Sequence, residues 1–223
     1  MFNWDVSKIH EKKNFVTKDE ADLIISYAEK IASKDKYSDV IDQYGRIVFP
    51  FVGIKDKEVK DLMIELEKKA YTFIIGEYAA SHELRVTRLN WKRDIEIVRW
   101  TSGGLQGHRD GHEGMPTEDD KLRLGLPISS LVYLTDDFDG GELYFEDFDY
   151  GFKPSAGSLC MFPSFYMHQV TSIFPNEGSV GRYTLPFFHG FDVREYGAEF
   201  LEEPNHGGYE YQEDSFNEIV MRK

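Results

Sequence analysis

One cysteine, Cys160, is the entire thiol complement of this chain of 223 residues. No disulfide can form within it, and such a composition suits a reducing compartment. Basic residues are also scarce: 26 Lys and Arg face 40 Asp and Glu, for a net charge of −14. Binding to a nucleic-acid backbone draws on Lys and Arg that neutralise phosphates, so the deficit argues against a general nucleic-acid binder. It argues equally against docking on an anionic membrane surface. No run approaches eighteen apolar residues, so no bilayer-spanning segment is expected. The start, Met1-Phe2-Asn3-Trp4-Asp5, lacks the basic-then-apolar order of a secretory leader. The location these absences imply is the cytoplasm.

What is present suits one elaborated domain. Hydrophobic residues make up 41% and aromatics 15%, which excludes a disordered chain. The acidity is uneven. Asp192 to Glu218 holds nine acids and one base, a net −8 of the total −14. Residues 192–223 therefore form an acidic C-terminal extension, and residues 1–191 the single domain. Helices are expected over about 17–80. Thr17-Lys18-Asp19-Glu20 fits a capping box. Leu23, Ile24, Tyr27, Ala28 and Ile31 follow at helical spacing, and Val59, Leu62, Met63, Leu66, Ala70, Phe73 and Ile74 form a second apolar stripe.

From about 84 to 191 the period falls to two. Ile95 and Ile97, Leu131 to Leu134, Leu143 and Phe145, Ser158 to Phe162 and Arg182 to Leu185 read as short strands. Gly103-Gly104, Asp139-Gly140-Gly141, Pro154 to Gly157 and Asn176-Glu177-Gly178 separate them as turns. Helices followed by many short strands imply a mostly β fold, an antiparallel sandwich or barrel with packed N-terminal helices.

Within the strand region His108 and Asp110 stand two residues apart, so in extended chain both point the same way while Arg109 points away. A third ligand has to come from elsewhere, and His168, heading another predicted strand, is the candidate. Two histidines and one carboxylate on one face leave open positions on a metal, the arrangement of non-haem Fe(II) oxygenases. A lone His-x-Asp triplet equally suits a loop histidine oriented by a carboxylate. Downstream, Arg182 and Thr184 share a strand face with Pro186 and Phe188. An inward arginine is costly unless it meets an anion, and a guanidinium grips a carboxylate with two parallel hydrogen bonds. Alone, Arg182 also suits a surface ion pair, and Tyr133 an ordinary core aromatic.

The order of these pieces resembles the Fe(II)- and 2-oxoglutarate-dependent dioxygenases, and within them the prolyl 4-hydroxylase type. The pieces are His108-Arg109-Asp110, Tyr133-Leu134-Thr135, Gly140-Gly141-Glu142-Leu143-Tyr144-Phe145, Pro154 through Phe162, His168, and Arg182-Tyr183-Thr184. The resemblance implies a double-stranded β-helix (jelly roll, cupin-like barrel). It implies Fe(II) held by His108, Asp110 and His168, with 2-oxoglutarate bound through Arg182, assisted by Tyr133. Thr184 is positioned to add a third hydrogen bond. It further implies hydroxylation of an unactivated C–H bond with dioxygen, release of succinate and CO2, and ascorbate as reductant. Peptidyl proline is the family-level substrate, within a broader range of peptide, protein or small-molecule partners.

Two other readings stay open at this stage: a cupin-like metal-binding barrel without oxygenase activity, and a nucleic-acid demethylase on the same fold. Arg85, Arg88, Lys92, Arg93 and Arg99 make a local basic stretch that the second would use. Trp100 stands where the family often has Tyr, and Arg182 where many members have Lys. His112 to Leu126 reads as a loop that contributes to substrate choice, with His112 exposed in it. His189, on the face opposite Arg182, is expected on the outer surface.

Overall fold

A computed structural model of the chain describes residues 6–32, 45–78, 81, 91–92, 95–110 and 128–190. The 112–126 loop, Arg85, Arg88, Arg93 and the 192–223 extension lie outside the described residues. Helix α1 is Lys18–Ala32. Its N-terminus carries the capping box: Thr17 donates through its backbone N–H (2.7 Å) and hydroxyl (2.8 Å) to Glu20, and Glu20 N–H returns a bond to the hydroxyl at 3.3 Å. Helix α2 is Lys57–Phe73, capped by Asp56, whose carboxylate accepts from Glu58 and Val59 N–H. Both helices bury their apolar stripes, Ala21, Ile24 and Ala28 on α1 and Val59, Met63, Leu66 and Ala70 on α2. None of the helices among the described residues is long and apolar enough to cross a membrane.

The described residues form twelve strands: β1 (His10–Lys12), β2 (Ile47–Pro50), β3 (Trp91–Lys92), β4 (Glu96–Trp100), β5 (Gly103–His108), β6 (Ile128–Tyr133), β7 (Phe138–Gly140), β8 (Leu143–Phe145), β9 (Tyr150–Phe152), β10 (Leu159–Pro163), β11 (His168–Pro175) and β12 (Arg182–Gly190). They form two antiparallel sheets. The larger runs β1-β10-β6-β12-β4-β2, with β3 also on β12; the smaller runs β5-β11-β8-β9, with β7 also on β11. This is the mostly β architecture with packed N-terminal helices that the strand spacing anticipates, and the jelly roll that the resemblance implies.

Strand alternation divides the interior in two. On one face of the larger sheet, Ile95, Ile97, Val132, Leu134, Leu159, Met161, Tyr183, Leu185 and Phe187 join the helical stripes in one core. On its other face Val98, Trp100, Tyr133, Cys160 and Phe162 meet Leu143, Phe145, Val170 and Ile173 from the smaller sheet. Each fully buried aliphatic or aromatic side chain contributes roughly 1.5–3 kcal/mol, so both faces of the central strands are held. Burial also pushes the Cys160 thiol far above its usual range, which keeps it unreactive.

Two glycines have a geometric reason. Gly140 has φ +66°, and a Cβ there would lie 2.0 Å from the Ser172 carbonyl oxygen. Gly181 has φ +92°, and a Cβ would lie 2.2 Å from the Trp100 oxygen. Only glycine permits the second approach, which brings Arg182 opposite Trp100 on the neighbouring strand.

The fold corrects one expectation. His189 lies on the face opposite Arg182, as alternation requires, but that face is covered by α2. His189 is only 1% exposed, and its Nε2 donates to Glu67 of α2 at 2.9 Å.

Candidate metal centre and its cavity

β5 ends with His108 and β11 begins with His168, and the antiparallel register places these two residues directly opposite each other. Asp110, two residues past His108, turns back toward both rings. His108 Nε2 lies 3.3 Å from Asp110 Oδ1, and His168 Nε2 lies 3.5 Å from Asp110 Oδ2. The three ligand atoms all fall within 4.8 Å of one another, the one such group among the described residues.

Each ring is oriented by its own backbone. His108 Nδ1 is 2.9 Å from the Gln106 oxygen, and His168 Nδ1 is 2.9 Å from the Tyr166 oxygen. A carbonyl only accepts, so each Nδ1 carries a proton and each Nε2 is the atom that faces the shared space. Asp110 is set by two serines. Ser129 Oγ donates to Asp110 Oδ2 at 2.6 Å and lies 2.7 Å from Ser164 Oγ, while Asp110 N–H donates to the Ser164 carbonyl at 2.8 Å.

The electrostatics suit a cation. Burial pushes the Asp110 carboxyl up, but the hydrogen bond with His108, the charge of His168 and the Ser129 hydroxyl outweigh it and hold it below the usual range. The Asp110 hydrogen bond raises His108, whereas burial lowers His168 and favours its neutral, ligating form. Two histidines with Nδ1 committed to backbone carbonyls and one ionised carboxylate make a set that fits a non-haem Fe(II) centre.

The three residues open into a cavity of about 660 Å³ shared with Val98, Trp100, Leu131, Arg182, Thr184, Pro186 and Phe188. The expected β12 face is therefore the one that lines it. Arg182 is 1% exposed. Its Nη2 donates to the Tyr133 hydroxyl at 2.8 Å, and the guanidinium lies over the Tyr133 ring at 4.8 Å. Its Nε has no hydrogen-bond partner among the described residues. A buried, incompletely bonded guanidinium is costly and calls for an anion. Tyr133 accepts from Arg182, so its own proton is left to donate. Thr184 is buried on the same wall. These features fit the carboxylate of 2-oxoglutarate.

The sequence reading did not single out Ser129, Ser164, Asp147, Arg46 or Glu96. Ser129 carried a signal: it alternates with Leu131 and Tyr133 on an inward strand face, where a polar residue needs a reason. Arg46, just before β2, and Glu96, at the start of β4, line the cavity. Arg109 points away from the ligand side, as alternation predicts, and pairs with Asp147. Of the basic stretch, Arg99 is engaged within the fold: it meets Glu29 of α1 at 3.2 Å and donates from Nε to the Val180 oxygen.

The model of the 2OG-Fe(II) oxygenase superfamily matches residues 95–189. No curated protein matches the chain in sequence. Among solved structures, the fold is similar to a viral collagen prolyl hydroxylase from Paramecium Bursaria Chlorella virus-1, solved as a 2OG complex. The TM-score is 0.57 at 15% identity, covering 83% of this chain and 96% of that one. It is similar also to a Trichoplax adhaerens prolyl hydroxylase in complex with a hypoxia inducible factor peptide fragment (TM-score 0.58, 12% identity, 87% and 86% covered). A third is a Pseudomonas putida prolyl-4-hydroxylase (TM-score 0.52, 15% identity, 84% and 96% covered).

Proposed function

We propose that this chain, whose residues 95–189 belong to the 2OG-Fe(II) oxygenase superfamily, is an Fe(II)- and 2-oxoglutarate-dependent dioxygenase that hydroxylates an unactivated C–H bond of peptidyl proline. The observation that carries the reading is one cavity holding both the His108, Asp110 and His168 group and the incompletely bonded Arg182. Fe(II) and 2-oxoglutarate, when bound, supply the hard chemistry: with dioxygen, the cosubstrate is converted to succinate and CO2 and one oxygen atom is placed on the substrate carbon.

The chain's own residues do the rest. His108 and His168 offer Nε2 lone pairs because their Nδ1 protons are committed to backbone carbonyls. Asp110 offers a carboxylate held ionised and oriented by Ser129. Arg182 takes the distal carboxylate of 2-oxoglutarate through Nε and Nη2, Tyr133 donates its hydroxyl proton to the same group, and Thr184 adds a further bond. Val98, Trp100, Leu143 and Val170 supply apolar walls that exclude water. Ascorbate serves as the reductant that keeps the iron ferrous, and the single buried thiol suits a cytoplasmic setting.

Peptidyl proline is supported by the fold shared with prolyl hydroxylases, one of them holding a peptide. Arg46 and Glu96, of opposite charge, line the same cavity, which suits polar main-chain groups of a peptide. The test is succinate formation from 2-oxoglutarate with proline-rich peptides, free amino acids and methylated oligonucleotides in parallel. Turnover above the uncoupled background with the peptides alone is expected. Turnover with another class reassigns the substrate, and failure to bind 2-oxoglutarate refutes the enzyme and leaves a metal-binding barrel.

A further inference from the structure

Three chain segments bring the metal-centre residues together: 108–110, the one-turn helix Glu146–Phe148 after β8, and 165–168. Asp147 sits where they meet. Its carboxylate accepts from both ends of the Arg109 guanidinium, Nη1 at 2.8 Å and Nη2 at 3.1 Å, a bidentate pair. The same carboxylate accepts from the Met167 N–H at 2.9 Å. Arg109 Nη1 donates also to the Phe165 carbonyl.

The covalent neighbours matter. Arg109 lies between His108 and Asp110, and Met167 immediately precedes His168. Asp147 thus bonds directly to residues adjacent to all three ligands. The adjoining backbone is locked too: Glu146 N–H donates to the Met167 carbonyl at 3.0 Å, and Asp149 closes the turn with φ +47°. By contrast, the β5–β11 ladder has irregular register between His168 and Val170 and again between Val170 and Ile173. Beyond the paired His108 and His168 the ladder to β5 is thus interrupted, and the Arg109–Asp147 contacts tie the two segments on the other side of the ligands.

We propose that the Arg109–Asp147 pair is a positioning clip that sets the spacing of the three metal ligands, acting through Arg109 and the Met167 amide rather than by touching the metal. The inference rests on the reading of His108, Asp110 and His168 as a metal centre. Removing the clip frees the 108–110 segment to move relative to 167–168, so ligand geometry loosens while the barrel stays closed.

The experiment titrates the full-length protein with Co(II) alone under anaerobic conditions, reading affinity and the ligand-field spectrum, with the Tm of the metal-free protein as the folding control. Asp147→Ala should weaken Co(II) on the order of 10- to 100-fold, as orienting partners of metal ligands typically do, and should alter the spectrum. Asp147→Asn keeps an acceptor for Met167 N–H but loses the charge pair, so it should fall between wild type and Asp147→Ala; it also serves if the alanine variant does not fold. Arg109→Ala combined with Asp147→Ala should lose clearly less affinity than the sum of the two single losses, because both remove the same charge pair. Wild-type affinity and an unchanged spectrum in Asp147→Asn and Asp147→Ala, even with a lowered Tm, overturn the clip. Fully additive losses overturn it as well. A wild-type protein that binds no Co(II) refutes the metal centre itself, a separate result from a variant that keeps its affinity.

Discussion

His108 and His168 are direct cross-strand partners, their ring centroids 4.4 Å apart. One antiparallel register thus delivers two of the three proposed ligands, and Asp110 follows from the chain's next turn. Each ligand should be indispensable. Anaerobic addition of Fe(II) and 2-oxoglutarate should give a weak visible charge-transfer band in the wild type. His108→Ala, Asp110→Ala and His168→Ala should each abolish it and weaken Fe(II) binding by more than about 100-fold, beyond what loss of an outer partner causes. A band that survives any one of them removes that residue from the ligand set.

Arg182 makes an unusual stability prediction. Its guanidinium is buried with Nε unpaired, so in the protein without cosubstrate the charge is a cost. Arg182→Met, similar in length and uncharged, should leave the Tm of the cosubstrate-free protein no lower than wild type while eliminating 2-oxoglutarate binding. In the metal-loaded wild type, 2-oxoglutarate at 100 times its Kd should add about 2.7 kcal/mol, or about 5–10 °C in Tm. The methionine variant should show no such shift. A wild-type Tm indifferent to 2-oxoglutarate contradicts the assignment of Arg182.

The N-terminal capping box should be visible as pH dependence. The Thr17 backbone N–H, with its hydroxyl and Lys69 adding to it, holds the Glu20 carboxyl below its usual range despite some burial. Because the folded-state value is depressed, the ionised carboxylate stabilises the fold above the unfolded-state pKa of about 4.3. That stabilisation disappears as pH falls through the lower folded-state value. Urea unfolding at pH 7 should show Glu20→Gln less stable than wild type, and the gap should narrow as pH falls below the unfolded-state value and through the depressed folded-state one. Thr17→Ala should cost about 1 kcal/mol at pH 7.

Much of the site is legible in the sequence. The i, i+2 spacing of His108 and Asp110 does place both on one side, with Arg109 on the other. The β12 alternation does send Arg182, Thr184, Pro186 and Phe188 to one wall. What alternation cannot say is what lies beyond each face. It put His189 opposite Arg182, correctly, but the cover over that face comes from a helix more than a hundred residues earlier. Glu67 carried a partial signal, since it falls within the apolar stripe between Met63 and Ala70. An acid at such a position needs a partner, and a single sequence does not name it. The Arg109–Asp147 pair was hidden for the same reason: Asp147 follows a strand that pairs with β11, and only the assembled sheet brings it to Arg109.

The Glu67–His189 bond joins α2 to the sheet, and both residues are buried. His189 Nδ1 has no partner among the described residues, so Glu67 supplies its one hydrogen bond there. Glu67→Ala strips that bond and leaves both imidazole nitrogens buried without a partner. The expected loss is about 3 kcal/mol in urea unfolding, the usual scale for breaking a buried polar pair from one side. Replacing both groups by apolar ones of similar size, Glu67→Met with His189→Phe, removes the imidazole together with its partner and should cost markedly less than Glu67→Ala alone. Neighbouring Tyr71 and Phe187 rings already surround His189 and would accept a phenyl ring. The measured quantity is the difference between the double variant and the single. A double variant as unstable as Glu67→Ala would mean that packing, not the stranded imidazole, sets the cost. Because the pair lies on the sheet face opposite the cavity, the double variant should also retain full Fe(II) and 2-oxoglutarate binding, which separates loss of stability from loss of the site.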